Sequence, residues 1–281
     1  MANYLIAMQR FLREDAMRIF LWFFAVAILV SPIFPDAVHA RCAPEMVNAP
    51  RAFRAVPVKS APPARVSVEW FGHSFLRLVS PGGTRIIADP FGPEMGFRVP
   101  AVRPHAVTIG REHPHHNSAG IATGNPLVLR GLGGDVEEWA KVRKTVGDVL
   151  IYNVPVTQRT YERRTKGSAF VYEAGGLCVA HLGDVAEALT PSKFRRLGKI
   201  HVVMVPIGGT FAVGPDGARK IVEQIRPNIA IPMHYWDDES LLRRFLRGAR
   251  RVKKLEQGPL HVTKRKLPPP TLFVVMGHQG N

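Results

Sequence analysis

Val107-Thr108-Ile109-Gly110-Arg111-Glu112-His113-Pro114-His115-His116-Asn117 carries a short β-branched run straight into an arginine and three histidines. The β-branched residues predict a strand, and the imidazoles follow at its end. The arrangement recurs downstream. Leu177-Cys178-Val179-Ala180-His181 is an apolar strand ending in a histidine and followed by Leu182-Gly183-Asp184, and Ile229-Ala230-Ile231-Pro232-Met233-His234 is another. Side chains at strand ends converge on one cleft, so ligands distant in sequence are gathered together. Imidazoles with a carboxylate suit zinc, manganese or iron, and an open coordination position makes such a site catalytic. The candidate ligands are His113, His115, His116, His181, Asp184 and His234, whereas His105 and His201 read as packed core histidines.

Around this stretch, strands are predicted over Arg65–Trp70, Ser74–Val79, Thr84–Ala88, Pro126–Leu129, Val149–Val154, Ala169–Glu173 and His201–Pro206. Helices are fewer: one capped by Thr190 and ending at Leu197, one from Asp216 that Pro227 stops, and one from Asp237 to Arg247. Strands come in runs first and helices are interleaved later. This predicts an α/β sandwich of two sheets with helices outside, not a doubly wound sheet.

The chain has 281 residues, 46% hydrophobic and 21% charged, which excludes a disordered chain, a coiled coil and a collagen-like fibre. One large domain with a short extension is the expected organisation. Cys42 and Cys178 are too few for a disulfide scaffold, and Cys178 in its apolar run reads as a buried thiol. The formal charge is +16, and between Arg243 and Lys266 ten Lys and Arg stand against the single Glu256. That run lacks aromatic interleaving or a zinc-knuckle spacing, so nucleic acid is not the favoured partner and a solvated face is the plainer reading.

Arg10, Arg13 and Arg18 precede an uncharged run from Ile19 to Val30, short of the roughly 20 residues a membrane span needs. Its length suits a signal peptide, and Val38-His39-Ala40 predicts cleavage after Ala40. The expected organisation is a signal peptide over 1–40, a linker over 41–64 and a domain over 65–281. The product is then periplasmic or secreted, without a stable membrane partner; the alternative is an uncleaved anchor holding it on the membrane.

The order of these motifs resembles the metallo-β-lactamase superfamily, in the branch of ascorbate-phosphate-lactonase-like metal-dependent hydrolases. Trp70-Phe71-Gly72-His73-Ser74-Phe75 resembles that branch's opening strand, and Ile87-Ala88-Asp89-Pro90-Phe91 is similar to its second motif, whose Asp is structural. His181-Leu182-Gly183-Asp184 and Ile231-Pro232-Met233-His234-Tyr235 look like its third-ligand and last-ligand motifs. The resemblance covers about residues 65 to 275 and implies an αββα sandwich with the metal site at one edge between the sheets.

The signature motif departs from the family's His-x-His-x-Asp-His: Arg111 replaces the first His and His115 the Asp. A shifted register, matching His113 and His115 to the first two histidines, leaves Asn117 and Ser118 for Asp and His; the first register fits the spacing better. Arginine has no acceptor lone pair and stays protonated, so Arg111 is no ligand. One site keeps only His113, His181 and the bridging Asp184. The other has His115, His116, Asp184 and His234, a set for a single Zn²⁺ or Mn²⁺. The implied function is an exported hydrolase cleaving an ester, lactone or phosphoester through a metal-bound hydroxide. Asp184 would orient the water, and Arg111 would offer a forked donor to a substrate oxygen. Arg159, Arg163, Arg164 and Lys166, read as a polar loop at the cleft rim, would draw a small anionic substrate; a solvated loop is the plainer account. His73 and Tyr235 read as structural neighbours of the cleft. The alternative is a non-catalytic protein of the same fold that binds an anionic ligand or partner.

Overall fold

In strand β1 (Arg65–Trp70), Val66 and Val68 are buried while Arg65 and Ser67 face outward. The same two-residue period governs the neighbouring strands. The computed structural model describes Cys42, residues 65–134, Val136 and residues 138–278. The predicted signal peptide, and the predicted linker apart from Cys42, lie outside the described residues.

The first sheet contains β1, β2 (Leu76–Val79), β3 (Arg85–Ala88), β4 (Ala106–Ile109), β5 (Leu127–Arg130) and β13 (Leu260–Thr263), in the order β13-β1-β2-β3-β4-β5. Val66, Val68, Leu76, Leu78, Ile86 and Ala106 turn inward to the main core. Ile87, Val107 and Ile109 turn outward, where Phe71, Phe75, Phe91, Met95 and Val102 cover them in a second apolar cluster.

The second sheet contains β6 (Arg143–Val146), β7 (Val149–Arg159), β8 (Arg164–Ala174), β9 (Leu177–His181), β10 (Val202–Pro206), β11 (Ile229–Met233), β12 (Val252–Leu255) and β14 (Leu272–Met276). Their order is β12-β14-β11-β10-β9-β8-β7-β6. Strands β9, β10, β11, β14 and β12 are parallel neighbours. The first three are buried at every residue, which is why they read as unbroken apolar runs. Helix α1 (Pro114–Asn117) lies at the end of β4. Helices α2 (Pro191–Leu197), α3 (Pro215–Ile225) and α4 (Glu239–Leu246) attach to the second sheet, α2 against β7 and α3 against β10 and α4. The fold is therefore mixed α/β, two sheets face to face with few helices.

Two expectations need correction. The polar loop expected over Arg159–Lys166 shrinks to residues 160–163: β7 continues to Arg159 and β8 starts at Arg164, paired residue for residue. The inward residues Val156 and Gln158 keep the strand in register, while alternate polar residues face solvent. Cys178 is not a free thiol: it forms a disulfide with Cys42, 136 residues away. The Cys42 carbonyl also accepts the Lys199 N–H at 2.7 Å, which ties the N-terminal segment to the start of β9 and β10.

Candidate metal centre

Asp184, buried in the turn after β9, stands between two imidazoles. His116 Nε2 lies 3.0 Å from its Oδ2, and His234 Nε2 lies 3.1 Å from its Oδ1. His116 is the third residue of α1, whose N-cap is His113, and it is fully buried. Its Nδ1 sits 3.2 Å from Asp89 Oδ2, and Asp89 Oδ1 accepts the Gly110 N–H at 2.6 Å. Asp89 thus aims His116 from behind and fixes the exit of β4. Only glycine fits at 110, because a Cβ there would stand 2.4 Å from the Ser168 carbonyl.

His73 completes the group. Donor atoms of His73, His116 and His234 lie within 4.8 Å of one another, and all three residues are buried. Backbone brings His73 there: its carbonyl accepts the His234 N–H at 3.0 Å and the Trp70 indole N–H at 2.9 Å. His73 and His234 both hold left-handed φ, 47° and 60°, a cost of order 1–3 kcal/mol each that is typical of functional sites. A Cβ on Gly208 would come within 2.3 Å of the His234 carbonyl and 2.9 Å of its Nδ1, so the ring's place depends on that glycine.

The remaining predicted residues take different places. Arg111 is buried; its Nη1 donates to Asp184 Oδ2 at 2.5 Å and its Nη2 to the Arg159 carbonyl at 3.0 Å, with the guanidinium over Phe211. His115, half-buried, lines the cleft mouth with the exposed His113, whose Nδ1 accepts the His115 N–H at 3.3 Å. His181 does not join the group: its Nε2 donates to the Ser74 carbonyl at 2.8 Å. Tyr235 stacks on Trp70 in the core. Sequence reading missed His73 as a donor; the signal was its position in the turn after β1, matching the strand-end placement of the others.

Burial would raise the Asp184 carboxyl, but His116 and His234 outweigh it and hold it well below the usual range. Burial, with the charges of His234 and His116, keeps His73 neutral. Burial opposes the charge on His116, yet Asp184 and Asp89 push it up to about 9. The donor set fits a cation: His73 Nδ1 and His234 Nδ1 are buried without hydrogen-bond partners, and imidazole with carboxylate is a borderline-metal set. The cleft above measures about 510 Å³ and is walled by Tyr161, Phe211 and Trp236.

Residues 67–234 match the beta-lactamase superfamily domain. The chain is 26% identical over 234 residues to a UPF0173 metal-dependent hydrolase of Anaeromyxobacter dehalogenans, covering 69% of this chain and 85% of that one. It is 31% identical over 185 residues to a UPF0173 protein of Pyrococcus furiosus, covering 60% and 83%. A crystal structure from Thermotoga maritima, described as a Zn-dependent hydrolase of the metallo-beta-lactamase superfamily, superposes with a TM-score of 0.61 at 28% identity. The match covers 76% of this chain and all of that one.

Proposed function

The chain belongs to the metallo-β-lactamase superfamily and is a metal-dependent hydrolase; from that premise we propose an exported enzyme that holds one divalent cation on His73, His116, His234 and Asp184 and cleaves a small ester, lactone or phosphoester. The observation that carries this is the buried trio of imidazoles around one carboxylate on the floor of an open cleft. Zinc or manganese there supplies a Lewis acid that activates water at neutral pH. Asp184 would help hold the cation and orient the attacking water. Arg111 gives Asp184 one N–H and the Arg159 carbonyl another, and its other N–H groups are available to a carbonyl or phosphoryl oxygen developing negative charge. Phe211 and the Arg159 carbonyl hold the guanidinium still, so little reorganisation accompanies the reaction. Tyr161, Phe211 and Trp236 narrow the access of bulk water.

One cation rather than two is supported by Arg111, which occupies Asp184 Oδ2 with a fixed positive charge. An anionic substrate is supported by the adjoining pocket of about 400 Å³, which shares Arg111, His113 and Thr160 with the cleft and carries Arg163 and Arg164. Export is supported by the Cys42–Cys178 disulfide, because disulfides persist in oxidising compartments and are rare in the cytosol.

Metal analysis of exported protein purified without chelator tests the reading, followed by a screen of chromogenic esters, lactones and phosphodiesters. One equivalent of zinc or manganese, lost in His116→Ala and His234→Ala together with turnover, is expected. Metal-free folded protein that cannot be loaded would refute it.

A further inference from the structure

The basic run from Arg243 to Lys266 takes no part in the metal centre, and the sheet topology determines where much of it goes. Asp184 and His234 follow the C-terminal ends of β9 and β11, so residues that precede the parallel strands lie at the other end of the sheet. Lys199 precedes β10, Arg226 precedes β11, and Arg250 and Arg251 precede β12. Lys264-Arg265-Lys266 follow β13, whose Thr263 pairs with Arg65 at the start of β1, and the chain then crosses to the start of β14. Hydrogen bonds weld this end together: Arg251 Nη1 to the Pro269 carbonyl at 2.8 Å, Asn228 Nδ2 to the Pro268 carbonyl at 2.7 Å, and Thr271 Oγ1 to the Pro227 carbonyl at 2.8 Å. A groove of about 640 Å³ opens there among Arg219, Arg226, Arg250 and Arg251. Of the described carboxylates, those at this end are engaged: Asp148 accepts from Ser80, Gly82 and Thr84, Glu173 from the Cys42 N–H, and Glu223 lies 3.9 Å from Arg219.

Cys42 sits at the same end, bonded to Cys178 at the start of β9 and hydrogen-bonded to Lys199. Cys42, the described residue nearest in sequence to the apolar run Ile19–Val30, is therefore held at the basic end. We propose that this end is a docking surface for an anionic phospholipid bilayer, with the metal cleft turned away from the membrane. Nucleic acid fits less well. Among the described residues the exposed aromatics Trp139, Tyr161 and Trp236 all line the cleft and its neighbouring pocket, so the basic end offers no stacking platform. An exposed large apolar residue at the basic end is instead Val252, beside Arg250 and Arg251. Lysines and arginines within a Debye length of anionic lipid each strengthen partitioning about fivefold.

Sedimentation of the full chain with vesicles tests this, comparing phosphatidylglycerol–phosphatidylcholine mixtures with phosphatidylcholine alone. The ratio between the two lipids isolates the charge contribution from any insertion of the apolar run. Binding should favour the anionic vesicles roughly 100-fold at low salt, and about 0.5 M salt should abolish the preference. Reversing exposed Arg250, Arg265 and Lys266 to Glu should abolish it too, with circular dichroism unchanged. Reversing Lys141, Arg143 and Lys144, on the far edge of the sheet, should leave most of it. Equal binding to both lipids, an equal loss in the control, or displacement by duplex DNA at matched phosphate would overturn the proposal. None of these readouts depends on metal content or hydrolysis.

Discussion

Arg111 and Asp184 form a buried ion pair, Nη1 to Oδ2 at 2.5 Å, on the same carboxylate oxygen that His116 Nε2 approaches at 3.0 Å. The guanidinium thus stands against the carboxylate that would bridge two metals, and it brings a permanent charge with no lone pair. A cation about 4 Å from it would be repelled by around 4 kcal/mol at an effective dielectric of 20. Replacing Arg111 with His should therefore raise zinc content from one equivalent to two. If atomic absorption still finds one, the arginine is not what limits the count.

His73→Ala should release the cation, whereas His181→Ala should keep it. His181 donates to the Ser74 carbonyl, so its truncation costs about 2–4 kcal/mol of stability through a cavity and an unpaired acceptor. Metal analysis and denaturant melts of the two variants separate these roles, and loss of metal in both would place His181 among the ligands.

Gly208→Ala removes no ligand but drives a methyl against the His234 carbonyl and Nδ1. Disturbing what positions a ligand typically costs 10–100-fold in metal affinity, the effect expected in a competitive chelator titration. An unchanged dissociation constant would mean that His234 is not held by this contact.

His201 is buried with its Nδ1 accepting the Cys178 N–H, and burial together with Lys264 and Lys199 lowers its pKa to about 4. A histidine depressed in the folded state protonates more readily in the unfolded chain. Its stabilising effect is thus present above about pH 6.5 and is lost on acidification toward 4. Between pH 7 and pH 5 this one group should remove about 2 kcal/mol. His201→Asn keeps an acceptor without the titration, so urea melts should show a correspondingly shallower acid slope.

Reduction of Cys42–Cys178 should cost about 2–5 kcal/mol, since the bond closes a long loop in the unfolded chain. Thiol titration of denatured, exported protein should find no free thiol, and two after reduction. Free thiols before reduction would remove the support for an oxidising compartment.

Much of this was legible in the chain. Strands β9, β10 and β11 are buried on both faces and therefore announce themselves as apolar runs, and α3 and α4 fall within two residues of their caps. Arg-Lys-Thr-Val in β6 and Val-Lys-Lys-Leu in β12 were not legible, because edge strands are exposed and owe their conformation to the neighbour they pair with. The tips of β7 and β8 hid for a similar reason: long pairing overrides a polar composition.

The sequence by itself determined the chemistry on offer, imidazoles and a carboxylate at strand ends, and the arginine that takes one family ligand position. Which of those side chains meet was a tertiary decision. A donor's aim depends on backbone torsions and hydrogen bonds made far away in sequence. The Ser74 carbonyl claims His181, while the left-handed turns at His73 and His234, joined by a backbone hydrogen bond, bring His73 to the cation site. The same holds for Cys42 and Cys178, whose partnership across 136 residues exists only once β9 is seated in its sheet.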